Sequence, residues 1–203
     1  MTRKGINNIC EKYAITDYTI NDDMSIDVHS SVNISEMNLT NIEVNFNIVD
    51  GDFRCNTNNL TSLKNSPKIV KGEFDCGFNN LSTLDYFPDE ITGYFFCDRN
   101  NILLLKGLGK LKRLDKLKDT FINLDYNKLK SLKYLTEEFT RISAENNYLN
   151  SLKYLPKSCV NLSVTNNNIR SLKYLNNNIR ILNIINNPVY ELWKLFIEEK
   201  HIE

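Results

Sequence analysis

One amide recurs along this chain at a nearly constant interval. Asn58, Asn79, Asn100, Asn127, Asn147, Asn167 and Asn187 are spaced 21, 21, 27, 20, 20 and 20 residues apart, and Met37 holds the same place one unit earlier. A fixed period of roughly 20 to 50 residues is the mark of a stacked architecture, in which no unit can bury its apolar face alone. Eight such units fill residues 32–188.

Apolar residues keep constant offsets around each Asn. Five places before it stand Val32, Phe53, Phe74, Phe95, Ile122, Ile142, Leu162 and Leu182; three places before it stand Ile34, Cys55, Cys76, Cys97, Leu124, Ala144, Val164 and Ile184. Leu or a near equivalent follows at two and five places after it. Alternation such as Phe53-Arg54-Cys55 predicts a short strand with one face inward. Units stacked at about 4.8 Å then give a parallel sheet along a solenoid. The Asn is expected to turn inward where the chain leaves the strand, satisfying backbone groups that the bend strips from the sheet. Stacked in this way, the seven amides form a structural ladder. Removing one in mid-ladder is expected to cost roughly 1 to 3 kcal/mol.

These columns match LxxLxLxxNxL almost throughout, so the chain resembles the leucine-rich repeat family. The start "ICEKYAITDYTINDDMSIDV", followed by "GDFRCNTNNLTSL", resembles leucine-rich repeat proteins of large tailed bacteriophages. The resemblance implies an α/β repeat: a curved solenoid with a parallel sheet on its concave face, a mostly irregular or 3-10 convex side, and helical caps at both ends. It also implies that the concave face is the ligand surface. The source would be a phage-encoded protein working in the host cytoplasm, with a host protein, such as a defence component, as the natural partner.

The whole chain reads as one domain. Residues 1–31 form an N-terminal cap, with Ile6, Ile9, Cys10 and Tyr13 at helical spacing and "DYTINDDMSIDVH" as two strands joined by a polar turn. Residues 189–203 read as an amphipathic capping helix. The 27-residue unit carries an insertion at 106–120, where Leu108, Leu111, Leu114 and Leu117 suggest a short helix packing by one stripe. Units of 20 to 21 residues leave room only for extended or 3-10 segments on the return. Gly51, Gly72 and Gly93, each just before a strand, read as turn residues.

Twenty-five basic and 25 acidic side chains cancel, so no whole-chain field draws nucleic acid. The basic run Lys106, Lys110, Lys112, Arg113, Lys116 and Lys118 reads as the solvated face of a helix, and RNA binding through it ranks last. No apolar run approaches the roughly 18 residues of a membrane span, and the start lacks a secretory apolar region, so neither membrane nor secretion is expected. Five cysteines without a CxxC pair fit neither a disulfide framework nor a zinc site. Cys55, Cys76 and Cys97 share one inward column and read as reduced packing residues. With two histidines at opposite ends, no Gly-rich phosphate loop and no HExxH, the sequence offers no catalytic constellation and calls for no cofactor or metal.

What varies within the repeat faces outward. At its middle stand Tyr94, Phe96, Phe121 and Tyr126, with Phe78 alongside, bordered by Asp98, Arg99, Asp125, Arg141 and Glu145. Aromatic anchors ringed by polar groups have the composition of a protein-binding hot spot. The plainer alternative is that these rings cover one another or are shielded by 106–120. The sequence therefore points to a non-catalytic protein-binding module, with a structural, virion-associated or homo-oligomeric role as the second reading.

Overall fold

The computed structural model describes residues 1–113 and 119–192. Helix α1 (Arg3–Lys12) opens the chain, and the Thr2 hydroxyl caps it by accepting from the Gly5 N–H. It buries Ile6 and Cys10, with Tyr13 buried just beyond its end. Strands β1 (Tyr18–Ile20) and β2 (Ile26–Val28) pair antiparallel, as the polar turn between them predicts.

Two series of short strands then alternate. One comprises β3 (Val32–Asn33), β5 (Phe53–Arg54), β7 (Phe74–Asp75), β9 (Phe95–Phe96), β11 (Phe121–Asn123), β12 (Arg141–Ser143), β13 (Asn161–Ser163) and β14 (Ile181–Asn183). They pair parallel into an eight-stranded front sheet in unbroken sequence order. The register follows the repeat: Phe53 sits opposite Phe74, Phe74 opposite Phe95, and Ile142 opposite Leu162. The chain is a parallel-sheet β-solenoid.

The inward columns stack as the alternation requires. The Phe53 and Phe74 rings lie 5.7 Å apart, Phe74 and Phe95 5.9 Å, and Phe87 fills in from the return at 4.5 Å from Phe95. Below them the free thiols of Cys55, Cys76 and Cys97 are fully buried. Burial pushes all three thiols up out of the reactive range.

The return side is extended, as the short units require, but in its first half it is also paired into a sheet where a mostly irregular or 3-10 side was expected. Strands β4 (Phe46–Val49), β6 (Ile69–Val70), β8 (Glu90–Ile91) and β10 (Lys112–Arg113) continue from β2 as a second parallel sheet. The cause is a single residue per unit. A 21-residue unit reads Val70-Lys71-Gly72-Glu73-Phe74 where a 20-residue unit reads Phe139-Thr140-Arg141-Ile142. The longer corner lets the return segment extend, and the extra place is held by Gly in Gly72 and Gly93. No glycine has a positive φ, so these are not left-handed turn residues. What excludes a side chain is close stacking. A Cβ on Gly72 would lie 2.6 Å from the Gly51 carbonyl carbon, and one on Gly93 2.5 Å from that of Gly72. Among the described residues of the later units, Phe139 and Cys159 bury the equivalent column without a back strand.

The expected insertion helix is instead a 3-10 helix (Lys106–Lys110) that buries Leu108 and leads into β10. A three-residue period suits a 3-10 turn better than an α-helix. Leu114 and Leu117 lie outside the described residues. A helical segment begins at 188 and continues to 192; the rest of the expected 189–203 helix lies outside the description. No helix among the described residues is long and apolar enough to cross a membrane.

Candidate protein-binding face

The outward face begins with the Asn column, because that column sets the backbone on which the face is built. Each amide clamps two successive units. Asn100 Oδ1 accepts from the Leu81 N–H at 2.9 Å, and its Nδ2 donates to the Cys76 carbonyl of the preceding unit at 3.0 Å and to its own Asp98 carbonyl at 3.2 Å. Asn58, Asn79, Asn127, Asn147, Asn167 and Asn187 repeat this arrangement, all buried. The ladder runs from amide to backbone, unit to unit, rather than from amide to amide.

Holding that bend forces the residue before each Asn into the left-handed region. Thr57, Phe78, Arg99, Tyr126, Asn146, Asn166 and Asn186 have φ between 51 and 56°. Asn tolerates this conformation; bulky side chains do so at a cost. The three Asn residues join side chain to side chain, Asn166 Nδ2 donating to Asn146 Oδ1 at 2.9 Å and Asn186 Nδ2 to Asn166 Oδ1 at 2.7 Å. In the middle units the same column carries a cation between two rings. The Arg99 guanidinium lies 4.9 Å from the Phe78 ring centre and 4.2 Å from that of Tyr126. Phe78 and Tyr126 remain 49 % and 47 % exposed.

Beside this rim lies a second aromatic group on the sheet itself. Tyr94, Phe96 and Phe121 meet edge to face, with ring centres 5.7 to 6.5 Å apart. The Arg141 guanidinium sits 5.4 Å from Tyr94 and 5.3 Å from Phe121, and its Nε lies 2.7 Å from Asp119 without aligning for a hydrogen bond. These three rings are half-buried, so they do partly cover one another. Of the 106–120 segment, residues 106–113 run along the back of the solenoid as the 3-10 helix and β10, while Asp119 reaches Arg141 beside the rings.

A row of carboxylates crosses the same face. Asp125 accepts from the Ser143 hydroxyl and the Glu145 N–H, both at 2.7 Å, and Glu145 in turn accepts from the Ser163 hydroxyl. Asp75 accepts from the Gly77 N–H at 2.9 Å. Gly77 leaves space here: a Cβ would lie 3.0 Å from an Asp98 oxygen and 3.3 Å from one of Asp75. Burial lifts the Asp75, Asp98 and Asp125 carboxyls above the ordinary aspartate range, helped at Asp75 by neighbouring Asp98 and at Asp125 by Glu145, and opposed at Asp98 by Arg99.

No family model and no curated protein matches the chain.

The fold brings all ten sequence-singled residues, Phe78 to Glu145, onto four adjacent units of one face. Asp75, absent from that set, joins the acidic row. The left-handed column was also missed; its only sequence signal is the Asn-Asn doublet at 146–147, 166–167 and 186–187. Among the described residues, no three His, Cys, Asp or Glu side chains are placed to hold a metal ion. His29 belongs to the cap, 3.0 Å from the Thr19 hydroxyl and 3.5 Å from Asp50. Lys106, Lys110 and Lys112 are exposed along the back-sheet segment; Lys116 and Lys118 lie outside the description.

Proposed function

We propose that this chain is a non-catalytic binding module of leucine-rich repeat type, which holds a protein partner on the central outward face of its front sheet. The Phe78–Arg99–Tyr126 stack carries this reading. Three large side chains are maintained, half-exposed, in a backbone conformation that disfavours them, beside an aromatic group and a hydrogen-bonded acidic row. Strained positions that keep large side chains in solvent are the kind found at recognition sites. Aromatic and Arg anchors within a polar rim supply most of the energy of ordinary protein interfaces. The repeat type is supported by the LxxLxLxxNxL columns and the parallel front sheet. A partner supplied by a bacterial host, with this chain as its inhibitor or modulator, follows from the resemblance to tailed-phage proteins.

Affinity capture tests the face. Wild type and a folded Phe96→Asp plus Tyr126→Asp variant are compared as baits in host lysate. Loss of the captured protein is expected, and undiminished capture by the variant contradicts the proposal.

A homo-oligomeric role is the second reading, favoured by Ile181 and Ile185, which are 61 % and 45 % exposed on and just after the last strand of the sheet. Sedimentation of wild type against Ile181→Asp separates the two readings.

A further inference from the structure

The charge on the candidate face is lopsided although the chain as a whole is neutral. Arg54 is committed to Asp52 at 2.7 Å and Glu73 at 3.3 Å, and Arg141 to Asp119. Arg99 is held between two rings. Among the described residues, Asp75, Asp98, Asp125 and Glu145 make no ion pair; the hydrogen bonds Asp75, Asp125 and Glu145 receive across the face come from uncharged N–H and hydroxyl donors.

We propose, resting on the protein-binding reading above, that the partner presents a basic segment, a stretch with Lys or Arg side chains beside an apolar one. Its cations meet the Asp75–Asp98–Asp125–Glu145 row, and its apolar residue meets Phe96 and the Phe78–Tyr126 edge. The row and the rings lie side by side across adjacent strands, so one extended segment can reach both. Carboxylates of neighbouring units, about 4.8 Å apart along the sheet, repel one another until a cation sits between them. A charged hydrogen bond to a half-buried carboxylate is stronger than the neutral ones it now receives. The same charge turns polyanions such as RNA away from this face.

The test is selection of short random peptides from a displayed library on the immobilised full chain. Recovered peptides are expected to carry an excess of Lys and Arg together with an aromatic or aliphatic residue. A fluorescein-labelled copy of a recovered peptide should bind Asp98→Asn plus Asp125→Asn about tenfold more weakly than wild type, and should weaken further with salt. The control pair Asp22→Asn plus Asp89→Asn removes the same charge from exposed sites elsewhere and should change little. Equal weakening by the control pair overturns the inference. Recovery of neutral or acidic peptides that fail to bind Phe96→Asp plus Tyr126→Asp overturns the basic partner while leaving the binding face intact. Recovery of no peptide, or of peptides indifferent to both face variants, overturns both.

Discussion

Phe78, Arg99 and Tyr126 share a column and a backbone twist with Asn146, Asn166 and Asn186, yet the two halves of the column are built from opposite materials. In the later units the sequence agrees with the backbone: Asn accepts a left-handed φ, and neighbouring amides bond to one another. In the middle units it disagrees. A bulky side chain in that region costs on the order of 1 kcal/mol. The two Arg99 ring contacts return about 0.5 to 1 kcal/mol each. Three such side chains together cost about 3 kcal/mol against a return of about 1 to 2, so stability gives no reason to prefer the aromatic version. A surface kept against local preference, without gain to the fold, is what an interaction site requires.

The contrast can be broken most severely one residue away, at the clamp both halves share. Asn127→Ala strands the Ile102 N–H in the buried interior and leaves the Cys97 carbonyl only its 3.3 Å bond from the Asn100 amide. A loss of about 2 kcal/mol is expected, seen in a thermal melt as a fall of roughly 4 to 8 °C. A fall no larger than that of an exposed substitution would mean the amide column is not what holds the bend.

Moving a middle-unit residue into the later units is the next test. Asn166→Tyr puts a bulky side chain at φ 56° and breaks both amide links, without an Arg beside it to stack on. Denaturant unfolding should show a loss of about 1 kcal/mol. The smallest effect belongs to the acidic row. Burial raises the Asp98 carboxyl in the folded state above its ordinary value of 3.8, so the folded chain binds more protons than the unfolded one just above that value. Stability therefore falls as pH rises through that window and returns as pH is lowered. Asp98→Asn should melt slightly higher at neutral pH and show a flatter dependence on acidification; a lower melting temperature would mean the carboxylate is a structural partner.

Much of this was legible in the residues. The strand columns, the place of each Asn and the paired strands of the cap follow from period-two alternation and fixed offsets, which stacking enforces. The back sheet was not legible, because it depends on one residue per unit at the Val70 to Phe74 corner, and a one-residue change alters no apolar column. Gly72 and Gly93 mark that corner, but their reason is the close approach of stacked backbones, visible only in three dimensions. The left-handed column was hidden where it matters most. Asn146, Asn166 and Asn186 carry the usual sign of such a backbone, while Phe78, Arg99 and Tyr126 carry none. At the insertion the Leu spacing was legible as a buried stripe at Leu108 and Leu111, but a three-residue period fits a 3-10 turn and a following strand as well as it fits an α-helix.

The most direct test rebuilds the middle of the column in the image of the later units. A Phe78→Asn, Arg99→Asn and Tyr126→Asn variant removes the exposed stack and gives the backbone residues it accepts. If the column is a recognition site, this variant will melt at or slightly above the wild-type temperature while partner capture falls at least about tenfold. Capture that survives unchanged in the folded variant, or a melting temperature that drops as far as capture does, would contradict the account.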